Sequence, residues 1–183
     1  MSEPKLAEVV KLFASLLISD KDVLRLVLES LVREYGLVDF VSPIKPFTYT
    51  DYYCREMGGR VERRFISFAA LMRPELLPDV KLRTNALEKV FSRAEGRKVN
   101  IDPGYISPAH IILATGKAYA HRPYLRDGIY ADLTLVYGDR YFQMLPWTYP
   151  DYGERETREM FKTIRTKYMA QLKNTKGRGM RNG

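Results

Sequence analysis

The chain is poor in the residues that build covalent or metal-linked sites. Among its 183 residues are one cysteine, Cys54, two histidines, His110 and His121, and one tryptophan, Trp147. A lone cysteine forms no intrachain disulfide and no thiolate zinc centre, so a reducing, cytoplasmic setting is expected. No apolar run approaches the roughly 20 residues of a membrane span. The opening MSEPKLAEVV carries acidic residues and a proline where a secretory signal needs a basic and then an apolar stretch. No membrane partner is expected.

Excess charge is also scarce over most of the length. The net charge is +8, but residues 154–183 hold nine Lys+Arg against three Asp+Glu, or +6. The remaining 21 basic and 19 acidic groups leave only +2 for the other 153 residues. A near-neutral body argues against a broad nucleic-acid-binding face. Any RNA or protein partner of this kind would have to meet the basic C-terminal helix.

What is present reads as one globular domain over 1–173 with a flexible basic tail over 174–183, too polar and glycine-rich to order itself. VVKLFASLLI at 9–18 is a near-continuous apolar run, suited to a buried strand. Ser19-Asp20 opens a helix whose apolar residues, Val23, Leu24, Val27, Leu28, Leu31 and Tyr35, recur at helical spacing up to Gly36. LVDFVS follows as a strand, and FTYTDYYC at 47–54 is rich in β-formers and is expected to be another. Met57-Gly58-Gly59-Arg60 reads as a turn, 61–69 as a strand, and Pro74–Ser92 as a helix with Pro78 in its first turn. RAEGRK at 93–98 reads as a surface turn. Asp102-Pro103-Gly104-Tyr105 has the residues of a type II turn.

HIILAT at 110–115 reads as a short buried strand. Gly138-Asp139 is expected to join strands 128–137 and 140–147 as a two-residue hairpin loop that sets Tyr137 opposite Arg140. Ala131, Leu133, Leu135, Phe142 and Met144 would then share the core face, and Asp132, Thr134 and Gln143 a polar one. The last helix, Pro150–Asn174, carries the stripe Phe161, Ile164, Tyr168 and Leu172. The fold class is α+β: mostly antiparallel sheet with about three helices, in an order that permits a ferredoxin-like first half.

The stretch ATGKAYAHRPYLRDGIYADL at 114–133 concentrates the reactive side chains. Gly116-Lys117 is not a phosphate loop, since Ile111 and Ala118 replace the first glycine and the magnesium-holding hydroxyl. The two histidines with Asp102, Asp127 or Asp132 match no metal spacing, so no metal or cofactor is expected. Neither histidine has the Ser or Thr two residues on that two-histidine phosphoesterase chemistry requires. General acid–base chemistry by His121 with Asp102 or Asp132 remains open. Arg122 and Arg126 are candidates for holding an anionic group, or for pairing with Asp127 and Asp132. Tyr49, Tyr52, Tyr53, Trp147, Tyr149 and Tyr152 can stack a ring or simply pack.

Taken in order, KLFASLLIS, FTYTDYYCREMG, RRFISF, LRTNALE, VNIDPGYIS, ATGKAYAHRPYLRDGIYADLTL and LPWTYPDY resemble the prokaryotic domain-of-unknown-function family 4416, over about residues 10–172. No activity is established for that family. Some members carry a GTP-binding label, but this chain has neither a phosphate loop nor an Asn-Lys-x-Asp motif. The resemblance draws attention to its polar motif residues together: either many converge at one cleft beside the last sheet, or they form a buried network that fixes loop geometry. The candidate ligand residues are Arg64, Lys117, Arg122, Arg126, Tyr49, Tyr52 and Asn100. The expected function is binding of a small anionic ligand, with a nucleotide among the candidates. The alternatives are an enzyme using His121 with a carboxylate, and an RNA- or protein-interaction module.

Overall fold

The computed structural model describes residues 3–93 and 96–179. In chain order the elements are β1 (Val10–Ile18), α1 (Lys21–Tyr35), β2 (Val38–Val41), β3 (Lys45–Pro46), α2 (Tyr52–Met57), β4 (Glu62–Met72), α3 (Leu77–Val90), β5 (Ser92–Arg93), β6 (Gly96–Arg97), β7 (Val99–Ile106), β8 (His110–Thr115), β9 (Tyr124–Arg126), β10 (Ile129–Gly138), β11 (Tyr141–Met144), α4 (Pro150–Gly153) and α5 (Arg155–Gly179). The fold is α+β, with one large antiparallel sheet ordered β11-β10-β8-β7-β1-β4-β2. β3 adds to β4, and β9 to β10. Within it, β1-α1-β2 and β4-α3-β7 give the order β7-β1-β4-β2, so each strand–helix–strand unit straddles a strand of the other. That is the split arrangement of a ferredoxin-like half, and β8, β10 and β11 extend it past β7.

Both faces of the sheet are covered. Leu12, Ala14, Leu16 and Ile18 of β1 pack under α1 and α3, against Val27, Leu31 and Val80. The alternate residue Phe13 joins Phe65, Ile111, Leu135 and Phe142 under α5, whose stripe Phe161, Ile164, Tyr168 and Leu172 is buried throughout. α1 starts where Asp20 accepts hydrogen bonds from the amides of Asp22 and Val23, and ends at Gly36 with φ 86°.

Several expected elements differ. Residues 47–51 are irregular and α2 follows them. β3 stops at Pro46, and Thr50 Oγ1 accepts from the Tyr52 amide, turning the chain into a helix that Gly58 closes at φ 70°. Asp102–Tyr105 is no turn: β7 runs through it. Pro103 is tolerated there because the β8 ladder begins only at Gly104 opposite Leu113. The glycine is needed because a Cβ would lie 2.5 Å from the Ile112 carbonyl oxygen and 2.8 Å from the Phe13 ring.

Beyond that point β7 has an open edge, and α3 covers it. Lys81 Nζ donates to the Ile101 carbonyl (3.0 Å) and to Asp102 (3.1 Å). The Ile101 amide donates to Glu88 (2.6 Å), and Arg97 bridges Glu88 and Glu56, each at 2.8 Å. The buried face of α3 therefore carries Lys81, Thr84 and Glu88 beside Leu77, Pro78 and Val80.

The last hairpin turns at Asp139-Arg140, with Gly138 opposite Tyr141 and Tyr137 opposite Phe142. A bulge between Leu133 and Leu135 splits the expected core face. Ala131 and Leu133 pack toward Leu77 of α3, while Leu135 packs toward α5. Asp132 and Thr134 are buried rather than solvated.

The C-terminal helix is in two pieces, because Glu154 takes an extended ψ of 141° between α4 and α5. α5 continues to Gly179, beyond the Asn174 boundary expected from composition. Met180–Gly183 lie outside the described residues, as do Ala94 and Glu95 of the expected 93–98 turn. No helix among the described residues is long and apolar enough to cross a membrane.

Candidate functional site

Strand alternation decides which side chains meet beside α5. Leu17 of β1 stands opposite Arg63 of β4 and Asn100 of β7, and Ser15 opposite Phe65 and Asp102. These rows lie on the α5 face, beyond the apolar patch that the helix covers. There the face turns polar, and α4 lays Asp151 and Tyr152 over it. Arg63 pairs with Asp151, and the two side chains are only 11% and 10% exposed. The guanidinium carbon lies 4.7 Å from the Phe47 ring centre, 5.3 Å from Phe65 and 5.6 Å from Tyr152. The ion pair is not aligned as a hydrogen bond, and Arg63 Nε has no hydrogen-bond partner among the described residues.

The carboxyls near Arg63 are driven apart. Burial pushes Asp151 above the usual carboxylate range, and Arg63 offsets only part of that. Burial also works against ionised Asp102, but Lys81, Arg63 and Asn100 outweigh it and hold that carboxyl below its ordinary value. The Tyr53 and Tyr152 phenols are pushed well up, chiefly by burial.

A cleft of about 540 Å3 opens along this wall. Three of its donors come from one segment and their carboxylate partners from another, beside Arg155. Lys45 pairs with Glu156, Tyr49 donates to Glu154, and Arg63 faces Asp151. The first turn of α5 also lines the cleft. The Tyr49 phenol is pushed up to about 12, by desolvation and then by Glu154.

A second polar cluster lies beside β10. Buried Arg122 donates through Nε to Asp132 (2.7 Å), through Nη1 to the Lys117 carbonyl (3.1 Å) and through Nη2 to Tyr149 Oη (2.6 Å). His121 is stacked between Tyr119 (6.1 Å) and Trp147 (4.9 Å). Its Nε2 is 3.7 Å from the Asp132 oxygen that Arg122 already holds, beyond hydrogen-bond reach. Tyr149 lies between the clusters: burial pushes its phenol up, Arg122 offsets part of that, and Asp132 and Asp102 add to it.

The segments near 50–64, 100–104 and 121–132 thus approach one another, but most of the candidate residues serve one another. Of these, Tyr49 lines the cleft. Tyr52 is exposed on α2, edge-on to Tyr53. Arg64 stands opposite Leu16, on the α1–α3 face. Lys117 contributes its carbonyl, and Asn100 donates to Asp102 at 2.7 Å. Arg126 shares none of Arg122's partners and pairs with Asp79 and Asp127. Neither His121 nor Asp132 lines the Arg63 cleft.

Two cations of the basic helix are engaged internally. Arg165 donates to the Pro108 carbonyl (2.8 and 3.0 Å) and lies 3.5 Å over the Tyr137 ring, while Lys167 donates to the Asp39 carbonyl (3.1 Å). Among the described residues, no group of three His, Cys, Asp or Glu is arranged to hold a metal ion.

Lys45, Arg63, Glu154 and Glu156 were not identifiable as site residues from the sequence. The available signal was the alternation in VERRFISF, which puts Arg63 and Arg64 on opposite faces. It does not say which face carries the cleft, because helices cover both.

Residues 8–168 match the family model described as "Domain of unknown function (DUF4416)". No curated protein and no solved structure matches the chain.

Proposed function

The chain belongs to the DUF4416 family, and we propose that it binds a small anionic ligand in the cleft walled by Lys45, Tyr49 and Arg63. The observation that carries this reading is convergence: Lys45, Tyr49, Arg63 and Arg155 line one cleft of about 540 Å3. Arg63, nearly buried and packed among the Phe47, Phe65 and Tyr152 rings, fixes a positive charge at the cleft wall. Lys45 and Tyr49 extend the donor row. The first turn of the 25-residue helix α5 adds the positive end of its dipole. Nucleotides fall within this ligand class through their phosphates.

The test is thermal unfolding of the full chain against inorganic phosphate, pyrophosphate, sugar phosphates and nucleotides. A ligand that binds only the folded state at 100 times its Kd adds about 2.7 kcal/mol, which the midpoint registers. Lys45→Ala changes a half-exposed side chain. It is expected to leave the unliganded midpoint in place and remove most of the shift. No shift with any of these compounds overturns the reading.

A further inference from the structure

Three donors of the cleft, Lys45, Tyr49 and Arg63, lie in the 45–63 segment, and the three carboxylates that meet them lie in 151–156, where Arg155 also lines the cleft. We infer that Glu154 and Glu156 are internal competitors, which occupy Tyr49 and Lys45 in the unliganded protein and are displaced by a phosphoryl group. The inference rests on the anionic-ligand reading above and narrows its ligand class.

The geometry separates an inner contact from two outer ones. Arg63–Asp151 is nearly buried and held by the Phe47, Phe65 and Tyr152 rings. Lys45 and Glu156 are 48% and 79% exposed, and Tyr49 is 42% exposed. Exposed pairs of this kind add little to stability and exchange readily. Glu154 is also the extended residue at the α4–α5 break, so its carboxylate can withdraw without unwinding either helix.

Displacing both carboxylates together requires one ligand with acceptor oxygens for an ammonium and a phenol at once. A phosphate monoester or pyrophosphate brings at least three acceptor oxygens and up to about two negative charges to replace both carboxylates, whereas a monocarboxylate brings two oxygens and a single charge. Tyr49, with its phenol pushed up to about 12, stays a donor at neutral pH, as a phosphoryl oxygen requires.

Titration calorimetry of the full chain with pyrophosphate and with acetate tests this, comparing wild type with Glu154→Gln, Glu156→Gln and the double variant. Glutamine keeps the shape but loses the charge-assisted bond. Removing a competing closed state raises apparent affinity by the inverse of the open fraction, here about tenfold for the double variant. Glu62→Gln removes the same charge one residue from Arg63 without touching the cleft lining and should change affinity far less. Equal gains from Glu62→Gln would reduce the effect to general charge and overturn the competitor role. So would wild-type binding that the double variant leaves unchanged or weakens, although the ligand reading would survive. Acetate binding as tight as pyrophosphate overturns the phosphoryl assignment. Absence of pyrophosphate binding in every variant overturns this inference, and the ligand reading falls only if sugar phosphates and nucleotides also give no thermal shift.

Discussion

Single residues in this protein are constrained by neighbours that local sequence does not reveal. Gly104 follows a proline and looks like a turn residue, yet its role is to let the Phe13 ring and the Ile112 carbonyl close on the β7 backbone. Gly116, in the Gly-Lys pair, has nothing within 4 Å of its would-be Cβ and no positive φ. The two glycines therefore give opposite expectations. Gly104→Ala overpacks the core and should cost about 2–3 kcal/mol of unfolding free energy, whereas Gly116→Ala should stay within about 0.5 kcal/mol of wild type. Urea unfolding of both variants decides it, and equal losses would contradict the close-approach argument. Arg63 and Arg64 make the same point for the site. They differ by one position and by the whole thickness of the sheet.

At the scale of elements, helices and long strands were legible and their joints were not. α1 could be read from its stripe and caps because every signal in that segment agrees. The 47–54 segment is rich in β-formers but has no partner strand after Pro46, so the Thr50 hydroxyl and Gly58 make it a short helix. The last hairpin was displaced by one residue on each strand because Gly138 attracts the turn assignment. The observed register instead sets Tyr137 beside Phe142, ring centres 5.1 Å apart, with Phe142 buried under α5.

Core packing thus fixes the turn at Asp139-Arg140, where both residues take positive φ, 51° and 64°. Two positive φ values are what a type I′ loop requires, and arginine bears them poorly. Arg140→Gly should therefore raise stability by about 1 kcal/mol. A lower thermal midpoint in that variant would show that the arginine side chain contributes more than its backbone strain costs.

Across the whole molecule, one buried cation joins the sheet to its covering helix. Lys11 reads in the sequence as the single charge in an apolar strand, with nothing to mark it as central. It is fully buried on β1, pairs with Asp39 of β2, and donates to Gln171 of α5 at 2.9 Å. Ser67 of β4 holds the other Asp39 oxygen at 2.6 Å, and Gln171 donates onward to the Ala69 carbonyl at 2.8 Å. Residues 160 positions apart thereby meet at one charge, which no periodicity could announce.

Burial raises the Asp39 carboxyl, but Lys11 and Ser67 outweigh it and hold it below its ordinary value. The folded state therefore binds fewer protons here than the unfolded chain does. Its stabilisation is complete above the unfolded value of about 4 and is lost as pH falls below that, through the lower folded value. Asp39→Asn leaves the Lys11 charge buried without a counter-ion and should cost about 2–3 kcal/mol at pH 7, somewhat less than a fully buried pair because Asp39 is 24% exposed. The gap to wild type should narrow steadily below about pH 4, as wild-type Asp39 takes up its own proton. Urea midpoints measured from pH 7 to 2.5 test this directly. A gap that stays constant with pH would mean that the asparagine disturbs packing rather than charge, and that Lys11 is held by Gln171 alone.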